Sequence, residues 1–192
     1  MALAHFQFVN RPSSIPEAEV VVSVLSHLVN VFALWIKSTG IGAPMTTLVW
    51  LWPLCETLHF IGLALLIGVA GLFDLRMLGF MRRVSLAAVM DLRAWAAVGL
   101  GINLVTGVMF FVGAPDQYIH NPAWWAKVAF ILIAGLNILA FELSPRTKTL
   151  VAQVGPGDNT PLRLKLAGGI SLFSWFSVLY FGRMLPFIGN AF

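Results

Sequence analysis

Charge is the first thing this sequence is short of. Only 10% of its 192 residues are Asp, Glu, Lys or Arg, where a soluble domain carries about 25%. A free-standing soluble domain is therefore excluded. Cysteine is nearly absent too. Cys55 is the only one, so there is no disulfide within the chain and no cluster built from several cysteines. There is no run of Lys or Arg and no nucleic-acid-reading motif. The net charge of +4 and the pI of 9.7 consequently do not point to DNA or RNA; basic residues beside membrane spans report topology instead. The opening "MALAHFQFVNRPSS" has no basic segment followed by a clean apolar run and does not read as a cleaved signal peptide. Nucleophile–base pairs and phosphate-binding loops are missing as well, which argues for a non-catalytic membrane subunit over an enzyme.

What is present is apolar length. The chain is 59% hydrophobic, with a mean hydropathy of +0.87. A helix needs about 20 apolar residues to cross a bilayer. Four segments meet this: 47–73, 94–113, 123–143 and 166–188. A fifth, 20–36, is shorter and two-faced. Val21, Val24, Leu25, Leu28, Val31, Phe32 and Trp35 share one side, and Ser23, Ser26, His27, Asn30 and Lys37 the other. That pattern favours an amphipathic helix over 20–37 lying in the membrane surface, with a fifth span as the alternative. The expected fold is an all-α polytopic bundle. An irregular tail, 1–19, precedes a single transmembrane domain, 20–192. Ser85 is placed to cap a short surface helix over 86–92. The longest connection, 144–165, reads as a turn or flexible tip around Gly155-Pro156-Gly157-Asp158-Asn159.

The loops after the first and third clear spans carry eight of the twelve basic residues: Arg76, Arg82, Arg83, Arg93, Arg146, Lys148, Arg163 and Lys165. The loop 114–122 carries none. The positive-inside rule then puts loops 74–93 and 144–165 in the cytoplasm and the C-terminus outside. Trp50, Trp52, Trp124 and Trp125 fall at the outer boundary, as an aromatic belt does.

The first span holds an anomaly, "LWPLCETLHFIGLALLIG" (51–68). Glu56 and His59 are three apart and share a helix face. Counted from residue 47, His59 lies about 18 Å deep. Ionisable groups at such depth are costly, and a function is the default reading. Haem b is one: His59 as axial ligand, with Gly62 letting a flat ring approach and Arg183 binding a propionate. The second ligand is His27 if 20–36 spans, about 15 Å from residue 37; otherwise His120, Met109 or none. A mononuclear metal site of Glu56, His59 and His120 is another reading. A third is a proton or solute route past Asn103, Thr106 and Asn137 to Asp74, Arg76 and Glu142. The plain alternative is helix packing: Glu56 and His59 pair with each other or with a neighbour's hydroxyl, and Gly62, Gly68 and Gly71 seat another helix. Asp74 and Arg76, two apart, read as anchors of the helix end in the headgroups. Arg183 reads first as a snorkelling side chain, and His120 as a solvated loop residue.

The stretches 51–80, 121–142 and 175–183 resemble a family of small uncharacterised bacterial inner-membrane proteins. The resemblance covers roughly residues 34–185. Its most specific part is the first stretch, with a tryptophan–proline opening, the Glu-x-x-His pair, a glycine-punctuated helix and an Asp-Leu-Arg exit. It implies a short first helix, in keeping with an interfacial segment. It also implies a histidine where this chain has Glu142, so any task that histidine serves in relatives is in doubt here. It marks His59 as the motif histidine and implies no function. The expectation is thus an integral inner-membrane subunit, binding haem b and serving electron transfer or anchoring of a larger complex. A cofactor-free lipid- or partner-binding subunit and a small transporter are the alternatives. The expected partners are membrane lipid, other membrane or periplasmic subunits, and a second copy of the chain.

Overall fold

The computed structural model describes residues 17–189, with side chains from Ser23 onward. The described residues form helices joined by short loops, without strands. They are α1 (Glu17–Ser38), α2 (Ala43–Thr47), α3 (Leu51–Leu78), α4 (Leu86–Met90), α5 (Arg93–Gly113), α6 (Pro115–Ile119), α7 (Pro122–Leu143), α8 (Pro145–Gln153) and α9 (Leu162–Met184). Four of the long helices, α3, α5, α7 and α9, are long and apolar enough to cross a membrane. The chain is an all-α, multi-pass membrane protein, with one further apolar helix, α1, ahead of the four.

The first span begins later than its apolar run. Pro44 opens α2, and Leu48 leaves it with an extended backbone. The chain then restarts at Leu51, where Pro53 sits in the first turn and costs no hydrogen bond. Counted from Leu51, His59 lies about 12 Å along the helix, shallower than the sequence suggested. The helix runs on to Leu78 and ends where Gly79 turns left-handed (φ 100°). Asp74 and Arg76 are therefore inside it. Likewise α9 starts at Leu162, four residues early, and takes Arg163 and Lys165 into its first turns.

The stretch 144–165 is not one flexible tip. Ser144 accepts a hydrogen bond from the Thr147 amide, and Pro145 stands at the first helical position. Those are start signals, and α8 follows. Ser85 caps α4 through the Ala88 amide as the sequence indicated.

The helices pack in the order α5–α3–α9–α7. α5 meets α3 most closely, α3 meets α9, and α9 meets α7, but α5 and α7 make next to no backbone contact. At the α3–α5 crossing the backbones touch through Gly62 and Gly99. A Cβ on Gly99 would lie 2.6 Å from the Gly62 carbonyl oxygen, and one on Gly62 2.9 Å from that of Gly99. Small residues permit such approaches in membrane bundles. Among the described residues α1 packs chiefly on α6 and touches the end of α5. Lys37 pairs with Asp116 there, and Phe32 faces Phe111.

The end of the bundle that carries α4 and α8 is the basic end. Arg76 locks it. The side chain is fully buried and donates to the carbonyls of Val84 (2.6 Å) and Gly155 (3.0 Å) and to the Thr160 hydroxyl (3.2 Å). It ties together two loops far apart in sequence. Met77, Leu86, Val151, Val154 and Leu164 form the apolar core beneath. Arg76 is thus not a headgroup anchor, because its guanidinium is buried and spent on the carbonyls and hydroxyl of these loops. Asp74 is also buried, with one carboxyl oxygen lacking a partner.

Candidate functional site: a cavity open between two helices

The missing α5–α7 contact leaves a cavity of about 1030 Å³, lined by α3, α5, α7, α9 and the α6 corner. Phe111 of α5 stacks on Trp124 of α7 (5.3 Å, 14°) and bridges the gap at the α6 end. Away from that bridge, Leu104, Val108 and Ile131 line the cavity and remain exposed. The cavity therefore opens sideways, between α5 and α7, onto the surface that faces lipid.

His59 sits in its wall. The imidazole Nδ1 lies 2.7 Å from the Thr106 hydroxyl. That hydroxyl has one proton, which goes to the Ile102 carbonyl at 2.7 Å. With that proton on the Ile102 carbonyl, the hydroxyl accepts from His59, and the neutral ring then carries its proton on Nδ1. Nε2 is left as a lone pair with no protein partner among the described residues. Phe110 packs edge-on against the ring (5.6 Å). Glu56, one turn nearer the α6 end, accepts from the Trp52 indole at 3.1 Å. Glu56 and His59 do not bond to each other. His59 takes a neighbour's hydroxyl, as the packing reading has it, and still keeps a free nitrogen.

Polar groups concentrate at the α6 end of the cavity: Glu56, Tyr118, Lys127 and Arg183. Burial, reinforced by the Glu56 charge, pushes the Tyr118 phenol up to about 12. Lys127 lies over Gly182 of α9, its ammonium about 3.5 Å from where a Cβ would be. Neither Lys127 nor Arg183 forms an ion pair among the described residues. Deeper in, two buried polar atoms lack partners, Asn103 Oδ1 and Trp175 Nε1. Both residues line the cavity. Buried polar atoms are nearly always satisfied, so these two call for a polar occupant or ordered water. Leu66, Trp175 and Val178, packed with Ala134, form an apolar floor.

The other sequence candidates fall elsewhere. His27 is exposed on α1. His120 is exposed and lines a separate surface pocket of about 240 Å³ with Gln117 and Asn121. Met109 turns its sulfur to Cys55. Gly62 has no free face, because α5 covers it; no flat ring can lie there. Asn137 bonds the Ala167 carbonyl (3.1 Å) and joins α7 to α9. Glu142 pairs with Lys148 at the exposed end of α7. Asp74, Arg76 and Glu142 are divided from His59 along the helices by the apolar floor. Among the described residues, no three His, Cys, Asp or Glu side chains converge on one point. Glu56, His59 and His120 are thus not brought together.

Lys127 was not among the sequence candidates, nor were Tyr118 and Trp175. The signal for Lys127 was in view: one cation in an otherwise uncharged stretch, at the end where the positive-inside trend disfavours it. No curated protein and no solved structure matches the chain. The sequence model of a family of unknown function (DUF6644) matches residues 32–188, and the chain belongs to that family.

Proposed function

We propose that this chain is a membrane subunit that holds haem b in the side-opening cavity, with His59 as the axial ligand. The observation that carries the reading is the relay from His59 Nδ1 through Thr106 to the Ile102 carbonyl. Metal-bound histidines characteristically donate their other N–H to an oxygen, which fixes ring and tautomer and frees the second nitrogen for the metal. The rest of the lining suits an amphipathic, doubly anionic ring. Lys127 and Arg183 would take the propionates, and the leucine, valine and phenylalanine walls would take the apolar rim. Neither His27 nor His120 lines the cavity, so the haem has a single histidine from this chain. Bound haem supplies one-electron transfer. The protein's part is to bind and orient it, and to join a larger assembly in a bacterial inner membrane. The basic end then faces the cytoplasm and the α6 end the periplasm.

The opening between α5 and α7 favours a second reading, a cofactor-free subunit holding one lipid or isoprenoid tail. The absorption spectrum of the purified chain separates the two. A Soret band that is lost in His59→Ala and weakened in Lys127→Ala supports haem. A colourless protein that stays unchanged on haem titration, and from which organic solvent extracts a stoichiometric lipid, overturns it for the second reading.

A further inference from the structure

Outside this cavity, three sulfur atoms from three helices converge. Cys55 Sγ of α3 lies 3.6 Å from Met109 Sδ of α5 and 4.0 Å from Met45 Sδ of α2. Cys55 and Met45 are buried. The convergence is built by backbone fit. A Cβ on Gly42 would sit 1.9 Å from the Val112 carbonyl oxygen, and one on Gly113 2.8 Å from Met45 Cβ. Two glycines thus seat the five-residue α2 against the end of α5 and deliver Met45 to Cys55.

We infer that Met45, Cys55 and Met109 form a binding site for a monovalent soft metal ion, Cu(I) or its analogue Ag(I). Thiolate and thioether donors select Cu(I). A metal–thiolate bond is about 2.3 Å, and at 120° two such bonds hold their sulfurs about 4.0 Å apart, close to the separations here. Charge decides the valence. Binding releases one proton, Cys–SH + Cu⁺ → Cys–S–Cu + H⁺, and leaves a neutral centre. A divalent ion would leave a net positive charge buried in an apolar site, which is costly.

The test uses the purified full chain, reduced and titrated with Cu(I) held by bicinchoninate as competitor. One Cu(I) per chain is expected, lost in Cys55→Ser. Met45→Leu and Met109→Leu, which nearly conserve volume, should each weaken binding by about tenfold or more at unchanged thermal stability. X-ray absorption of the Cu(I) form should show three sulfur neighbours. His59→Ala should bind Cu(I) as the parent does, which keeps this site distinct from the cavity. Failure to hold Cu(I) against bicinchoninate overturns the inference. So does binding that survives Cys55→Ser, binding untouched by both leucine variants, or binding lost in His59→Ala.

Discussion

His59 Nδ1 and the Thr106 hydroxyl are hydrogen-bonded at 2.7 Å, across the α3–α5 interface. One hydrogen bond thereby sets the orientation and tautomer of the imidazole in the cavity wall. Thr106→Val keeps the shape and removes the acceptor. It should cost about 1 kcal/mol of stability and broaden or shift any haem spectrum, because Nδ1 loses its partner. Thr106→Ser should restore both. Thermal unfolding and absorption spectra of the pair check this; a valine variant matching the serine variant in both would refute the relay.

The glycines of α3 and its α5 partner Gly99 should divide into two classes. Gly62→Ala and Gly99→Ala push a methyl into the facing backbone and should destabilise by about 1–3 kcal/mol. Gly68→Ala and Gly71→Ala meet nothing within 4 Å. They should be neutral or slightly stabilising in a helix. Melting temperatures in one detergent are enough to compare the four. Equal losses at all of them would contradict the Gly62–Gly99 crossing.

Arg76 should be irreplaceable by Lys. An ammonium cannot reach Val84, Gly155 and Thr160 as the guanidinium fork does. Arg76→Lys should lose more than about 2 kcal/mol, since a hydrogen bond to a charged group contributes about 1.5–3 kcal/mol. Limited proteolysis should then cut near residues 155–158 well before it cuts the parent. Unaltered cleavage would mean that Arg76 does not hold the loops.

Tyr118 should titrate late. Its phenol is pushed from 10.0 up to about 12, first by burial and then by the Glu56 carboxylate. The folded state holds this proton more tightly than the unfolded one. Its contribution to stability is fully present below pH 10 and is lost as pH rises toward about 12. Absorbance titration in a Tyr180→Phe background isolates Tyr118, since the chain has two tyrosines. Glu56→Gln should bring the midpoint part of the way down and leave the burial effect in place. An unshifted midpoint in the parent would mean that Tyr118 is solvated.

Much of the fold was legible in the sequence, because spanning length is a local property. Four apolar runs became four long helices, the Ser85 cap formed, and His59 stood out as an ionisable group within an apolar run. The ends were less legible, since apolar residues also fill the links: Thr47 closes α2 rather than opening the span, and Asp74 and Arg76 extend α3. Which way each helix faces was decided only by tertiary structure. Lipid and bundle interior are equally apolar, so hydrophobic periodicity does not mark the inner side. Hence Gly62, read as room for a ring, is covered by α5, and His120, adjacent to the cavity-lining Asn121, points elsewhere. Lys127 reaches the cavity from a helix 68 residues beyond His59 in numbering. Sequence alone set the number of membrane-spanning helices and the presence of an odd histidine within the first. The crossing of α3 on α5, and the gap where α5 fails to meet α7, decided which nitrogen of that histidine is free and what space it faces. Those contacts are non-local, and no stretch of the chain encodes them by itself.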